Sequence, residues 1–212
     1  MQKKCITHQL QEYKMQKIII LIIILFAYVN VYSQSKNLND NFNYLIRQSV
    51  GDLNKDGLLD KAIISMDTVN RTRPLRLQIF FSQPNGMSKL FFSSTEIIEA
   101  MYPIENNGEH NGNQIPDVYI EEGKLQLDFY IKGNSRYEFI FKNGKFELTY
   151  FSYVNWDGVN ITETEFNLLT GKYTKQSEIH ETSEITLKIK KEVHIRPLPQ
   201  LNSFKPFENE LY

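Results

Sequence analysis

"DVYIEEGKLQLDFYIKGNSRYEFIFKNGKFELTYFSYV", residues 117–154, decides the fold. Three turn signals, Glu122-Gly123, Gly133-Asn134 and Asn143-Gly144, divide it into short runs in which apolar and polar residues alternate. A period of two places every second side chain on the same face of a strand. The apolar sets are Leu125, Leu127, Phe129 and Ile131, then Tyr137, Phe139 and Phe141, then Phe146, Leu148 and Tyr150. Glycine turns between such runs mark hairpins, so the stretch predicts an antiparallel meander.

The plan extends in both directions. Upstream, "LRLQIFFSQPNGMSKLFFSS" (75–94) holds two runs around Pro84-Asn85-Gly86. Downstream, "TETEFNLLTGKYTKQ" (162–176) turns at Thr170-Gly171, and "EITLKIKKEVHI" (184–195) is a last alternating run. Helix signals are few. "SSTEIIEAMY" (93–102) offers Ser94 or Thr95 as an N-cap and reads equally as a helix or as a continuation of the strand from Phe91. "IENNGEHNGNQIP" (104–116) reads as a polar loop, and the proline-containing end, "RPLPQLNSFKPFENELY" (196–212), as an extended surface segment. The expected fold is mainly β, one domain with an antiparallel meander or sandwich-like sheet; it becomes α+β if the 93–102 stretch takes its helical option.

The bulk numbers agree. The 212 residues suffice for one domain with a substantial core, and an aromatic content of 13% suits pleated surfaces. Lys and Arg number 24 against 25 Asp and Glu, so no overall field exists to hold a nucleic acid backbone. Nucleic acid is not an expected partner.

"KMQKIIILIIILFAYVNVYSQ" (14–34) places Lys14 and Lys17 before an apolar stretch of 12 residues, Ile18 to Val29, with Ser33 near its polar exit. A spanning helix needs roughly 20 residues, so the pattern describes a secretory signal cut between Ser33 and Gln34. The alternative is an uncleaved anchor, and translation from Met15 would still give a complete signal. The expected organisation is a signal over 1–33, a short linker over 34–40, a β-rich domain over 41–207 and a tail over 208–212, with a periplasmic or extracellular destination and no membrane span after cleavage. The one cysteine, Cys5, precedes the apolar stretch. The mature chain therefore has neither disulfides nor a thiolate metal ligand.

"GDLNKDGLLDKAII" (51–64) is the motif with most chemistry. Counting Asp52 as position one, side-chain oxygens fall at positions one, three, five and nine: Asp52, Asn54, Asp56 and Asp60. Calcium takes roughly six to eight oxygens, and alternate residues of a tight loop can face one centre. Gly57 permits the sharp turn, and Leu58 would contribute its main-chain carbonyl. Three crowded carboxylates repel each other unless a cation lies among them. The expected metal set is thus Asp52, Asn54, Asp56, Leu58 and Asp60, with Ca2+ as a structural cofactor; the bland reading is an Asx-rich turn whose carboxylates face water.

The pattern D-x-N-x-D-G-x-x-D resembles the calcium loops of FG-GAP repeats and of dockerins. It departs from the EF-hand at position twelve, where Ile63 stands in place of a bidentate glutamate. A wider resemblance joins "GDLNKDGLLD", "LRLQIFFSQPNG", "GKFELTYFSYVNWDG" with "FNLLTGK", and "RPLPQLNSF", which occur in this order in a family of small exported bacterial proteins of unassigned activity. That resemblance implies fold and location only.

Other constellations are weaker. His110, His180 and His194 have no partner at metal-ligand spacing. Glu121, Glu122, Asp128, Glu163 and Glu165 read as solvated strand charges. Tyr153, Trp156 and Asp157 are a candidate ligand patch, since exposed aromatics beside polar groups can stack on sugar rings. The sequence favours a non-enzymatic binding or envelope-associated module whose partner is a protein or a glycan; a secreted hydrolase acting on glycans or peptidoglycan is the alternative.

Overall fold

The computed structural model describes residues 41–212, apart from 113 and 132. The expected signal, its cleavage point and the 34–40 linker lie outside the described residues.

Among the described residues, eleven strands form two antiparallel sheets. The first four, β1 (Tyr44–Gly51), β2 (Asp60–Met66), β3 (Leu75–Ser82) and β4 (Ser88–Ser94), pair in chain order. The other seven are β5 (Asp117–Glu121), β6 (Lys124–Phe129), β7 (Asn134–Lys142), β8 (Lys145–Trp156), β9 (Asn160–Asn167), β10 (Lys172–Ile179) and β11 (Ile185–Glu192), and they too pair each with the next. The meander reading is correct, and its turns lie where glycine was found: Gly86, Gly123, Gly144 and Gly171 all have positive φ.

The inner faces share one apolar core. Ala62, Ile64 and Met66 of β2, with Leu75, Leu77 and Ile79 of β3, meet Leu125 and Leu127 of β6 and Phe139 of β7. The sheets are fastened where β1 runs beside β5. The Ile120 amide donates to Ser49 Oγ at 2.9 Å, Arg47 pairs with Asp117 at 2.8 Å, and Gly51 lies so close that a Cβ there would stand 2.5 Å from Ile120 Cγ2. The outer face of β6 and β7 is polar but satisfied. Asp128, only 6% exposed, accepts two bonds from the Arg136 guanidinium and one from Gln126. β11 closes the seven-stranded sheet as an edge exposed on both faces, with Lys188 and Lys190 alternating with Ile185, Leu187 and Ile189; edge lysines are a usual protection against strand addition.

Three expectations need correction. Beyond Ser94 the 93–102 stretch is neither helix nor strand. β4 ends at Ser94, whose hydroxyl accepts the Glu96 amide at 3.1 Å, and the chain then runs irregularly while Ile97 and Ile98 are both buried. A serine that bonds the amide two residues on offers the backbone a turn in place of a helix. No α-helix occurs among the described residues, only 3-10 turns at Ile104–Asn106 and Leu201–Ser203. Secondly, Tyr150 does not share a face with Phe146 and Leu148. Phe139 pairs with Leu148 while Glu138 pairs with Tyr150, so Thr149 is an extra residue in β8. The bulge shifts the alternation by one, and Phe151, 6% exposed, faces the core where Tyr150 was expected. Thirdly, the expected tail over 208–212 is joined to the domain, because Leu211 and Tyr212 pack against the core.

The C-terminal segment is placed by β8. Pairing of β8 with β9 begins at Tyr150, so the first half of β8 presents an open edge. Pro199 and Gln200 take that edge: the Leu148 amide donates to the Pro199 carbonyl at 2.8 Å, and Gln200 bridges Glu147. From there Phe204 packs on Tyr137 and Phe139, with ring centroids 4.8 and 5.1 Å away.

Candidate functional site

The acidic loop joins β1 to β2 and is built around its own carboxylates. Asp52 Oδ1 accepts the Asp56 amide at 3.1 Å and Oδ2 the Gly57 amide at 2.9 Å. Asn54 Oδ1 accepts the same Asp56 amide at 3.0 Å, so the two side-chain oxygens converge on one N–H. Asp56 Oδ1 accepts the Leu58 amide at 2.8 Å, and its Oδ2 accepts from the Asn54 side chain at 2.9 Å. The chain can curl this tightly because Lys55 and Gly57 take positive φ, 62° and 85°; for glycine that costs nothing sterically, for lysine it is strained.

Asp60 behaves differently. It is fully buried, and both its oxygens are engaged by main-chain amides. Oδ2 accepts the Leu53 amide at 2.9 Å and the Asn54 amide at 3.3 Å, while Oδ1 accepts the Ser82 amide of β3 at 3.0 Å. One carboxylate thereby ties the start of the loop, the start of β2 and the end of β3. Three N–H donors are what a buried carboxylate needs to remain tolerable. Beside it Leu53 plugs the loop into the core at 1% exposure.

The arrangement brings Asp52, Asn54 and Asp56 together over one turn and directs Asp60 beneath it. Among the described residues, no three His, Cys, Asp or Glu side chains gather closely enough to hold a metal ion by themselves. The oxygen set of the loop is hard, as calcium prefers, but it includes an amide, Asn54, and in the expected set a main-chain carbonyl, Leu58.

The candidate ligand patch is not assembled. Tyr153 and Trp156 lie three residues apart on a regular stretch of β8, so they project from opposite faces. Trp156, 63% exposed, stands edge-to-face with His180, 6.1 Å between centroids. Asp157 serves its turn: its carboxylate accepts the Asn160 amide at 2.6 Å and the Val159 amide at 2.9 Å, and these bonds, Asn160's first, hold its pKa below the usual value.

Tyr153 instead lines a cavity of about 410 Å3 between the inner face of β7–β10 and the C-terminal segment. Two cross-strand rows run beneath it, and all their members but Phe166 line it. Ser135, Tyr153, Thr164 and Lys175 are paired in sequence across β7, β8, β9 and β10, and so are Tyr137, Phe151, Phe166 and Tyr173. Burial raises the pKa of Tyr137 to about 12, and it raises those of Tyr153 and Tyr173 as well. Tyr137 Oη accepts the Phe207 amide at 3.3 Å. The sequence carried a signal for the rows in its alternation, but which strands are neighbours and in what register required the fold.

No family model, no curated protein and no solved structure matches the chain.

Proposed function

We propose that this is an exported, calcium-binding β-module with a non-enzymatic, envelope-associated binding role, whose partner is a protein or a glycan. The observation that carries the calcium reading is the convergence of Asp52 and Asn54 oxygens on one amide, with Asp56 folded back onto the same turn. Asp52, Asn54, Asp56 and the Leu58 carbonyl would hold the ion, with Asp60 next to it. A bound divalent cation neutralises the crowded carboxylates and fixes the entry to β2, so its part is structural. Export rests on the basic, short-apolar, small-residue pattern before Gln34, and the resemblance to small exported bacterial proteins agrees with it.

The test is calorimetric titration with calcium, joined to melting with calcium or with chelator. With an affinity of about 0.1–1 mM, as in extracellular modules, 10 mM calcium stabilises by roughly 1.4–2.7 kcal/mol, which is a Tm rise of roughly 3–10 °C for a domain of this size. No heat and no shift at that concentration would refute the calcium reading.

A further inference from the structure

The floor of the cavity over β7–β10 carries a cation. Lys175, half-buried, has no carboxylate partner among the described residues, although the exposed Glu210 stands on the opposite wall. Tyr137 lies fully buried beneath the floor, its oxygen accepting the Phe207 amide at 3.3 Å. A half-buried ammonium in one row with the hydroxyl side chains of Ser135, Tyr153 and Thr164 suits a ligand rich in acceptors and carrying negative charge.

The distribution of the polar groups narrows the class. They are spread over three strand spacings, from Ser135 on β7 to Lys175 on β10, which is about 14 Å. Gln114 and Asn209 add amides from the facing wall. A fatty or aryl acid is polar at one end only and would leave most of these groups unpaired, at a cost for each. A sugar is polar along its whole length and still has an apolar face for aromatic rings such as Phe151 and Tyr153. The volume lies within the range of small-molecule sites, about 300–1,000 Å3.

We infer that this cavity binds an acidic saccharide, with a pyranose ring against Tyr153 and its carboxylate on Lys175. The inference rests on the reading of the chain as a binding module and names the ligand for it; the calcium loop takes no part.

The experiment is calorimetric titration of the full chain with a galacturonic acid dimer, with its neutral galactose counterpart, and with octanoate, each in calcium and in chelator. The uronate dimer should bind, at least tenfold more tightly than the neutral dimer, and more weakly as salt is raised. Lys175→Gln keeps the stem and removes the charge; it should cost the uronate about tenfold or more and leave the neutral sugar unchanged, with an unaltered Tm showing that the fold is intact. Absence of uronate binding, equal affinity for both dimers, or indifference to Lys175→Gln would overturn the assignment. Tighter binding of octanoate would overturn the saccharide class while leaving the chain a binding module, and neither outcome bears on the calcium titration.

Discussion

Replacing Asp60 by asparagine should destabilise the protein strongly, with or without calcium. The substitution preserves shape and removes charge. Two of the three donors to Asp60 converge on Oδ2, from Leu53 and Asn54, and one reaches Oδ1, from Ser82. An asparagine satisfies the larger number by turning its oxygen to the Leu53 and Asn54 amides, and its NH2 then faces the Ser82 N–H, donor against donor. The Ser82 amide loses its partner at a cost of about 1–3 kcal/mol, and the other two bonds lose charge assistance, about 1 kcal/mol each. The total is about 3–5 kcal/mol, a Tm fall of roughly 6–20 °C at about 2–4 °C per kcal/mol. Thermal melting of both proteins in chelator is the assay, because the three bonds are internal and need no ion. A fall below about 2 °C in chelator, with a large one only in calcium, would show that Asp60 acts as a metal ligand and that the clamp reasoning is wrong.

Two further outcomes follow from particular contacts. Gly51→Ala would bring a Cβ to 2.5 Å from Ile120 Cγ2 and 2.9 Å from the Ile120 carbonyl oxygen; the backbone atom cannot yield, so urea unfolding should show a loss of about 1–3 kcal/mol, and an unchanged midpoint would mean that β1 and β5 are not so closely apposed. Tyr137, whose pKa is raised from 10.0 to about 12 by burial, keeps its proton in the folded state where the unfolded chain has released it. Its contribution is therefore whole below pH 10 and is lost as pH rises from 10 to 12, about 2–3 kcal/mol in all. Unfolding at stepped alkaline pH checks this, and Tyr137→Phe should flatten that slope.

The meander was legible because each hairpin announces itself locally. An Asn-Gly or Glu-Gly pair between alternating runs needs no distant partner to be recognised. Parity was legible only between irregularities. Thr149 carries no mark that distinguishes it from its neighbours, and its extra place in β8 is set by pairing with Glu138 and Phe139, which moved Phe151 inward and Tyr150 out. The separation of Tyr153 from Trp156 was within reach of the sequence, since a spacing of three in a strand puts two side chains on opposite faces; grouping them by proximity missed it. The spacing of the acidic loop showed that Asp52, Asn54 and Asp56 share a turn, but not that Asp60 turns beneath it.

By itself, then, the sequence determined the elements whose causes lie within a few residues: strands from alternation, hairpins from glycine turns, a tight acidic bend from Asp, Asn and Gly in fixed order. Tertiary structure decided everything that depends on which strands lie side by side. Asp60 finds Ser82 22 residues away, Tyr137 meets Phe207, and Ser135, Tyr153, Thr164 and Lys175 form one row only because four strands adopt one register. The physical reason is that local patterns follow from the conformational preferences of a short chain, whereas a cavity or a buried clamp exists only after distant segments have lost their freedom together.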